Sequence, residues 1–263
     1  MNKVDELFEN GIVFFREFYK NKELESLKES VLDVSEKFFN SGGKAKNNGI
    51  HIEHPFKYND IFLNVISDQR VCEIIEEAIG DKITLVNSAL DNRQILNNSS
   101  KEAQEGSTWH TDSRYIQRGK VKIEFGFGYI AALCLDDFTS ENGATMIVPK
   151  SHLFEGKPER ELDLSKYKPI SLEAKAGDLF LFDTGLWHSA GAPTLNRRWG
   201  LFSMYSPWYF KPYFDYTKMF TKDKIKSMSG RLIDLLHFTS TPPEDQIINQ
   251  HTLISSDQFL SQL

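Results

Sequence analysis

Ala176-Gly177-Asp178-Leu179-Phe180-Leu181-Phe182-Asp183-Thr184-Gly185-Leu186-Trp187-His188 reads as a turn, a buried strand and a second turn that delivers a histidine. The apolar run 179–182 is too short for a helix and half aromatic, and glycine-containing turns bound it on both sides. Runs of the same texture recur at Ile83 to Leu96, Val121 to Leu135, Thr145 to Val148, Ile170 to Glu173 and Trp199 to Tyr205. Turn signals separate them, Asn142-Gly143 being the clearest hairpin candidate. A series of short strands of this kind closes into a barrel or jelly roll.

Upstream the texture is helical. Leu24, Leu27, Val31, Val34 and Phe38 recur at helical spacing among Lys and Glu, and Gly42-Gly43 ends the pattern. A second helix, Asp68 to Ile79, places Val71, Ile74, Ile75 and Ala78 on one face and stops at Gly80. Helices gathered before the strands predict an α+β, mainly β fold, a barrel braced on its outer face by amino-terminal helices. We expect one domain over 1–263, with helical support at 1–80, the barrel at 83–208 and a helical tail or lid at 209–263. In that tail, Leu232-Ile233-Asp234-Leu235-Leu236 has helical texture before the break Thr241-Pro242-Pro243-Glu244. The charged stretch Leu153 to Lys168 lacks a strand pattern and is either an excursion at the barrel mouth or a plain surface loop.

At 263 residues the chain can bury a sizeable core. Its 40% hydrophobic and 26% charged residues fit neither a disordered nor a membrane protein. A net charge of −6 offers no basic face, which argues against nucleic acid as a partner. The two cysteines, Cys72 and Cys134, sit in apolar surroundings without metal or redox spacing and read as small core residues. No apolar run is long enough to span a bilayer, and the amino terminus lacks a secretory pattern. A cytoplasmic protein acting on a small molecule, as monomer or homodimer, is the expectation.

Trp109-His110-Thr111-Asp112 carries the chemistry. In an extended segment residues i and i+2 point the same way, roughly 6.5 Å apart, so one cation can take both side chains. A third ligand from another strand, His188, closes one face of an octahedron and leaves the opposite face open, the pattern of a non-haem Fe(II) site. His-x-acid alone proves little, since about one match arises by chance in such a composition. A second match stands at His51-Ile52-Glu53, but it stops at Pro55 and has no partner histidine in a comparable strand setting. The bland alternative makes His110 and Asp112 an ordinary hydrogen-bonded pair.

Arg197 and Arg198 open the strand Trp199 to Tyr205. A guanidinium desolvated inside an apolar run needs an anion, and a ligand carboxylate would supply one through the bidentate fork. Adjacent strand residues face opposite sides, so only one of the two points into the barrel.

Together, His110-x-Asp112, Glu141-Asn142-Gly143-Ala144-Thr145-Met146-Ile147-Val148-Pro149-Lys150-Ser151-His152, Gly177 to Asp183, His188 and Arg198-Trp199-Gly200-Leu201 resemble the phytanoyl-CoA dioxygenase family. The resemblance runs from Phe8-Glu9-Asn10-Gly11-Ile12-Val13 to about Tyr205. It implies a double-stranded β-helix of jelly-roll, cupin-like type that binds Fe(II), 2-oxoglutarate and O2. Carried onto this chain, it assigns His110, Asp112 and His188 to the metal and Arg198 to the far carboxylate of 2-oxoglutarate. Arg198 is preferred to Arg197 because the family arginine is followed two positions on by a small residue, here Gly200. The implied reaction hydroxylates an unactivated carbon with release of succinate and CO2, and desaturation or ring formation is open to the same site. Related halogenases replace the carboxylate ligand by a small residue, whereas this chain keeps Asp112. There are departures: Lys150 stands where many relatives have glycine, Ala132 where many have tryptophan, and Asn97-Asn98-Ser99-Ser100-Lys101 replaces a Pro-Gly turn. Asn97 is either a co-substrate contact or a turn residue.

For the substrate, Trp109, Tyr115, Phe125, Phe127, Tyr129, Trp187, Tyr205 and Trp208 are candidate wall residues, although strand aromatics more often belong to the core. Phe125, Phe127 and Tyr129 alternate with glycines, which would put three rings on one sheet face. Arg114 either pairs with an acidic group of the substrate or makes a surface salt bridge. His152 is expected to hold a structural hydrogen bond near the mouth. A non-redox metal enzyme of cupin-like type, an isomerase or hydrolase, is the competing class, and it has no need of Arg198.

Overall fold

The computed structural model describes residues 2–46, 48–95, 108–113, 126–159, 161–163, 165–192, 197–240 and 254–263. A six-stranded antiparallel sheet faces a three-stranded one. In chain order the strands are β1 (Ile12–Phe15), β2 (Gly49–Glu53), β3 (Ile83–Arg93), β4 (Tyr129–Cys134), β5 (Thr145–Ile147), β6 (Ile170–Ser171), β7 (Leu179–Asp183), β8 (His188–Ala190) and β9 (Arg198–Pro207). The large sheet runs β1-β7-β4-β9-β3-β2 and the small one β6-β5-β8. Among the described residues no helix is long and apolar enough to cross a membrane.

The large sheet is buried on both faces, which is why its strands read as unbroken apolar runs. On β4, Tyr129, Ala131 and Leu133 pack into the cluster shared with the helices, whereas Ile130, Ala132 and Cys134 face the barrel interior. On β7, Leu179 and Leu181 join the first cluster and Phe180 and Phe182 the second. The outer cluster receives Leu27, Val31 and Val34 of α1 (Asn21–Asn40) and Val71, Cys72, Ile75 and Ala78 of α2 (Gln69–Ile79). Asp68 caps the second of these helices and Gly80 ends it in the left-handed conformation, as the spacing predicts. Phe180 sits at the centre of the interior cluster, its ring 5.6 to 6.1 Å from those of Phe14, Phe138 and Phe182. Phe180→Ala is expected to cost about 3–5 kcal/mol, read as a shifted urea midpoint at unchanged slope. A loss under about 1 kcal/mol would mean the interior can collapse around the gap.

Two sequence expectations need correction. The first eighty residues are not all helix: β1 pairs with β7 and β2 with β3, so each is an edge strand of the large sheet. Asn142-Gly143 does not turn a hairpin, because β4 and β5 lie in different sheets. Instead Thr139 and Asn142 form a reciprocal cap on a short 3-10 turn, with Gly143 in the left-handed conformation at its end. The strand bounds at 83–96 and 121–135 also shrink, to Ile83–Arg93 and Tyr129–Cys134 among the described residues. Phe127 therefore precedes β4, and Phe125 lies outside the described residues.

The turn before β7 is anchored to the chain that follows β1. Asp178 accepts hydrogen bonds from Arg16 at 2.7 Å and from the Glu17 amide at 2.8 Å. Gly177 has φ +90°, and a Cβ there would collide with the Tyr19 carbonyl oxygen, so only glycine fits. Lys150, the departure from glycine noted above, takes the left-handed conformation at φ 61°, a strain of about 1 kcal/mol or more. His152, two residues on, donates from Nε2 to the Phe8 carbonyl at 2.9 Å, the structural bond expected of it. In the stretch 153–168, Phe154 and Tyr167 meet Trp187 at ring distances of 5.4 and 5.2 Å, which puts this excursion against the segment leading to His188. Cys72 and Cys134 are both buried and free.

Candidate metal and co-substrate site

His110 and His188 face each other across a two-residue antiparallel bridge, each backbone amide donating to the other's carbonyl at 3.0 Å. Their rings lie 4.3 Å apart. Asp112, whose amide donates to the Thr184 carbonyl at 2.9 Å, turns its carboxylate toward both. His188 Nε2 is 3.3 Å from one carboxylate oxygen and His110 Nε2 is 3.8 Å from the other. One donor atom from each of the three residues lies within 4.8 Å of the others, a set able to hold a metal ion.

Both rings are fixed by their far nitrogens. Nδ1–H of His110 donates to the Thr108 carbonyl and Nδ1–H of His188 to the Leu186 carbonyl, each at 2.8 Å. This tautomer leaves both Nε2 lone pairs aimed at the common centre. Burial and the neighbouring His188 push the His110 pKa down, which favours the neutral ring a metal requires. Burial alone would raise the Asp112 carboxyl, but the hydrogen bond and charge of His188 outweigh it and hold the group ionised.

The three residues open into a cavity of about 360 Å3 between the sheets. Its apolar wall comes from Ile130, Phe182, Phe202 and Met204. Arg198 lies in the same wall, 1% exposed, while Arg197 is exposed and faces α1 instead. On β9 the inward series is Arg198, Phe202 and Met204, with Trp199, Leu201 and Tyr205 on the helix side, so alternation fixes which arginine enters. The guanidinium lies over the Phe138 ring at 4.0 Å, and its Nε and one terminal nitrogen are buried without a partner. Burial, opposed by Asp91 and reinforced by Arg93, brings its pKa down to about 10, still a full cation at neutral pH.

Among the other residues that line this cavity are three charged side chains that sequence reasoning missed as site residues: His51, Asp91 and Arg93. His51, whose motif stops at Pro55 and has no partner histidine in a comparable strand setting, lies on β2 opposite Asp91 of β3. Its ring donates from Nδ1 to Asp91 at 2.7 Å and from Nε2 to Glu53 at 2.9 Å. Those two bonds push its pKa up to about 10. A raised folded pKa means that the pair's contribution to stability is full below about pH 6.5 and is lost as pH rises through 10. Half-exposed ion pairs of this kind add little, so the clean readout is the ring itself. We expect the His51 Cε1–H resonance to stay at its imidazolium position past pH 8, whereas His237, driven down to about 4 by burial, is neutral at pH 7. Titration of His51 near pH 6.5 would mean that the three groups do not act as an ion cluster.

The remaining candidates are scattered. Trp109 is half-buried beside His110. Phe127 packs on Phe210, at 5.7 Å between rings, in a second cavity of about 230 Å3 that shares Met204 and Tyr213 with the first. Tyr129 and Tyr205 are core residues of the helix side. Asn97, Arg114 and Tyr115 lie outside the described residues.

A family model described as phytanoyl-CoA dioxygenase matches residues 7–198. Among curated proteins, an uncharacterized protein of Mycobacterium tuberculosis, Rv1501, is 32% identical over 118 residues, 43% of this chain and 42% of that protein. The dioxygenase af480 of Aspergillus fumigatus is 32% identical over 108 residues, 39% of this chain and 34% of that one. The chain thus matches under half the length of these relatives. Among solved structures, HygX of Streptomyces hygroscopicus with nickel, 2-oxoglutarate and hygromycin B bound superposes at a TM-score of 0.63, with 14% identity over 81% of this chain and 89% of that one. The epimerase SnoN from nogalamycin biosynthesis, in complex with Fe3+, alpha ketoglutarate and nogalamycin RO, superposes at 0.60, with 17% identity over 78% and 82%. These superpositions identify the fold as the double-stranded β-helix of such enzymes.

Proposed function

The chain belongs to the phytanoyl-CoA dioxygenase family, and from that premise we propose that it is an Fe(II)- and 2-oxoglutarate-dependent dioxygenase that hydroxylates an unactivated carbon of a small molecule. The observation that carries this reading is the pairing of two features in one cavity: a two-nitrogen, one-oxygen donor set and a buried arginine with no anion beside it among the described residues. A metal enzyme of isomerase or hydrolase type would use the first and have no task for the second.

The residues present fit both groups. His110, Asp112 and His188 would hold Fe(II) by one face, and the carbonyl tethers on Nδ1 keep both imidazoles oriented before the metal arrives. Asp112 brings the one negative charge of the set. Arg198 would take the far carboxylate of 2-oxoglutarate, which would accept from the guanidinium's unpartnered N–H groups. Bound Fe(II), 2-oxoglutarate and O2 supply the oxidising chemistry, in which a C–H bond becomes C–OH while 2-oxoglutarate leaves as succinate and CO2. Phe182, Ile130, Phe202 and Met204 keep water from the reacting centre, a task the protein must perform for any strongly oxidising site. We assign Trp109 and Phe127 to the substrate side. Phe127 is supported by its cavity, which continues past Met204 and Tyr213 from the metal end.

The test is an anaerobic titration of the metal-free chain with Fe(II) and then 2-oxoglutarate. We expect a visible charge-transfer band on addition of 2-oxoglutarate, followed by succinate release when O2 is admitted. Tight Fe(II) binding with no such band would overturn the dioxygenase reading in favour of the non-redox class.

A further inference from the structure

Arg93, the last residue of β3, stands in direct cross-strand register with Arg198 at the start of β9. Side chains directly opposite on adjacent strands share a face, with Cβ atoms about 5 Å apart, and both of these line the cavity. Arg93 is 9% exposed; one terminal nitrogen donates to the Gly191 carbonyl at 2.9 Å, and its Nε has no partner. Among the described residues neither guanidinium has a carboxylate within ion-pair distance. Asp91, the acid nearest in sequence on that face, is engaged by His51 at 2.7 Å.

Two desolvated like charges side by side destabilise a fold unless an anion joins them. The described residues supply none, so we take the anion to come with a ligand. We propose that Arg93 and Arg198 together clamp the far carboxylate of 2-oxoglutarate, Arg93 being a second binding residue for the co-substrate. This rests on the dioxygenase reading above. Charge balance supports one shared anion. At this end of the cavity Arg93, Arg198 and the protonated His51 face Asp91 and Glu53, leaving a single positive charge, which one carboxylate cancels. A further acidic group from the substrate would leave the pocket negative.

The experiment is the same anaerobic titration, on the Fe(II)-loaded full chain, run with 2-oxoglutarate and with 2-oxopentanoate. The second probe keeps the chelating keto acid and replaces the far carboxylate by a methyl group. Arg93→Gln is expected to weaken 2-oxoglutarate about 10- to 100-fold, the range for losing a hydrogen bond to a charged group, and to leave 2-oxopentanoate unchanged. Arg93→Lys, which keeps the charge without the fork, should lose less than Arg93→Gln for 2-oxoglutarate and nothing for 2-oxopentanoate. If Arg93→Gln fails to fold, the Lys variant alone decides. Unchanged 2-oxoglutarate affinity in both variants overturns the proposal and turns Arg93 toward the substrate. An equal fall for the two keto acids also overturns it, as a structural effect. No band with the unsubstituted chain would remove the dioxygenase reading itself, and the clamp with it.

Discussion

Asp112→Ala is expected to weaken Fe(II) binding by about 100- to 1,000-fold and to abolish turnover. The substitution removes the one anionic donor of the set, leaving a divalent cation on two neutral imidazoles inside a partly buried site. It also deprives His188 Nε2 of its partner at 3.3 Å. The segment itself should stay in place, because the backbone amides of residues 112 and 113 both donate to the Thr184 carbonyl at 2.9 Å, and those bonds do not depend on the side chain. Asp112→Asn, which keeps the shape and loses the charge, should fall between. Glu53→Ala, at the other His-x-acid motif, should leave Fe(II) affinity unchanged. Anaerobic calorimetry with Fe(II) reads all three, and an Asp112→Ala variant that binds the metal at full strength would sink the ligand assignment.

Strand alternation decides which of the site residues are legible in the sequence. His110-x-Asp112 and His188 stood out because i,i+2 spacing and a turn-bounded strand are local patterns, and the structure brings the three together. Parity says that only one of Arg197 and Arg198 enters, the resemblance through Gly200 picks Arg198, and β9 alternates without interruption from that residue. Arg93 is not legible in this way. A bulge in β3 shifts the register between Leu85 and Asn87, so Ile83 and Leu85 face the helices and then Leu90 does, while Asn87, Ala89, Asp91 and Arg93 face the cavity. Counting alternation from Ile83 would send Asp91 and Arg93 to the wrong side, because one extra residue flips every later side chain. Nothing in Val86-Asn87 announces that bulge. His51 was passed over for a different reason. Its strand has only five residues and ends just before His54-Pro55, so only its pairing with β3 reveals it as a wall of the same cavity. The failed hairpin at Asn142-Gly143 has the same origin: the dipeptide fixes a local turn, while the assignment of β4 and β5 to opposite sheets is set by long-range pairing.

Arg198→Ala is expected to weaken 2-oxoglutarate by about 30- to 1,000-fold, the cost of truncating one partner of a buried charge pair, with Fe(II) affinity nearly intact. The separation is geometric, because Arg198 contributes no atom to the donor set. Two quantities distinguish this loss from a general loosening of the wall. Affinity for 2-oxopentanoate, which has no far carboxylate, should hardly change. Arg198→Lys should recover part of the 2-oxoglutarate binding, since a point charge attracts the carboxylate but cannot grip both oxygens as a fork does. The effect should exceed that of Arg93→Gln, because Arg198 has two buried nitrogens without partners and Arg93 already spends one donor on Gly191. It should far exceed that of Arg197→Ala, whose side chain is exposed on the helix side of the sheet. The expected order, Arg198 above Arg93 above Arg197, is thus an order of unmet hydrogen-bonding capacity inside the cavity. A titration in which Arg197→Ala lost 2-oxoglutarate and Arg198→Ala kept it would contradict the register of β9, and with it the placement of every inward side chain on that strand.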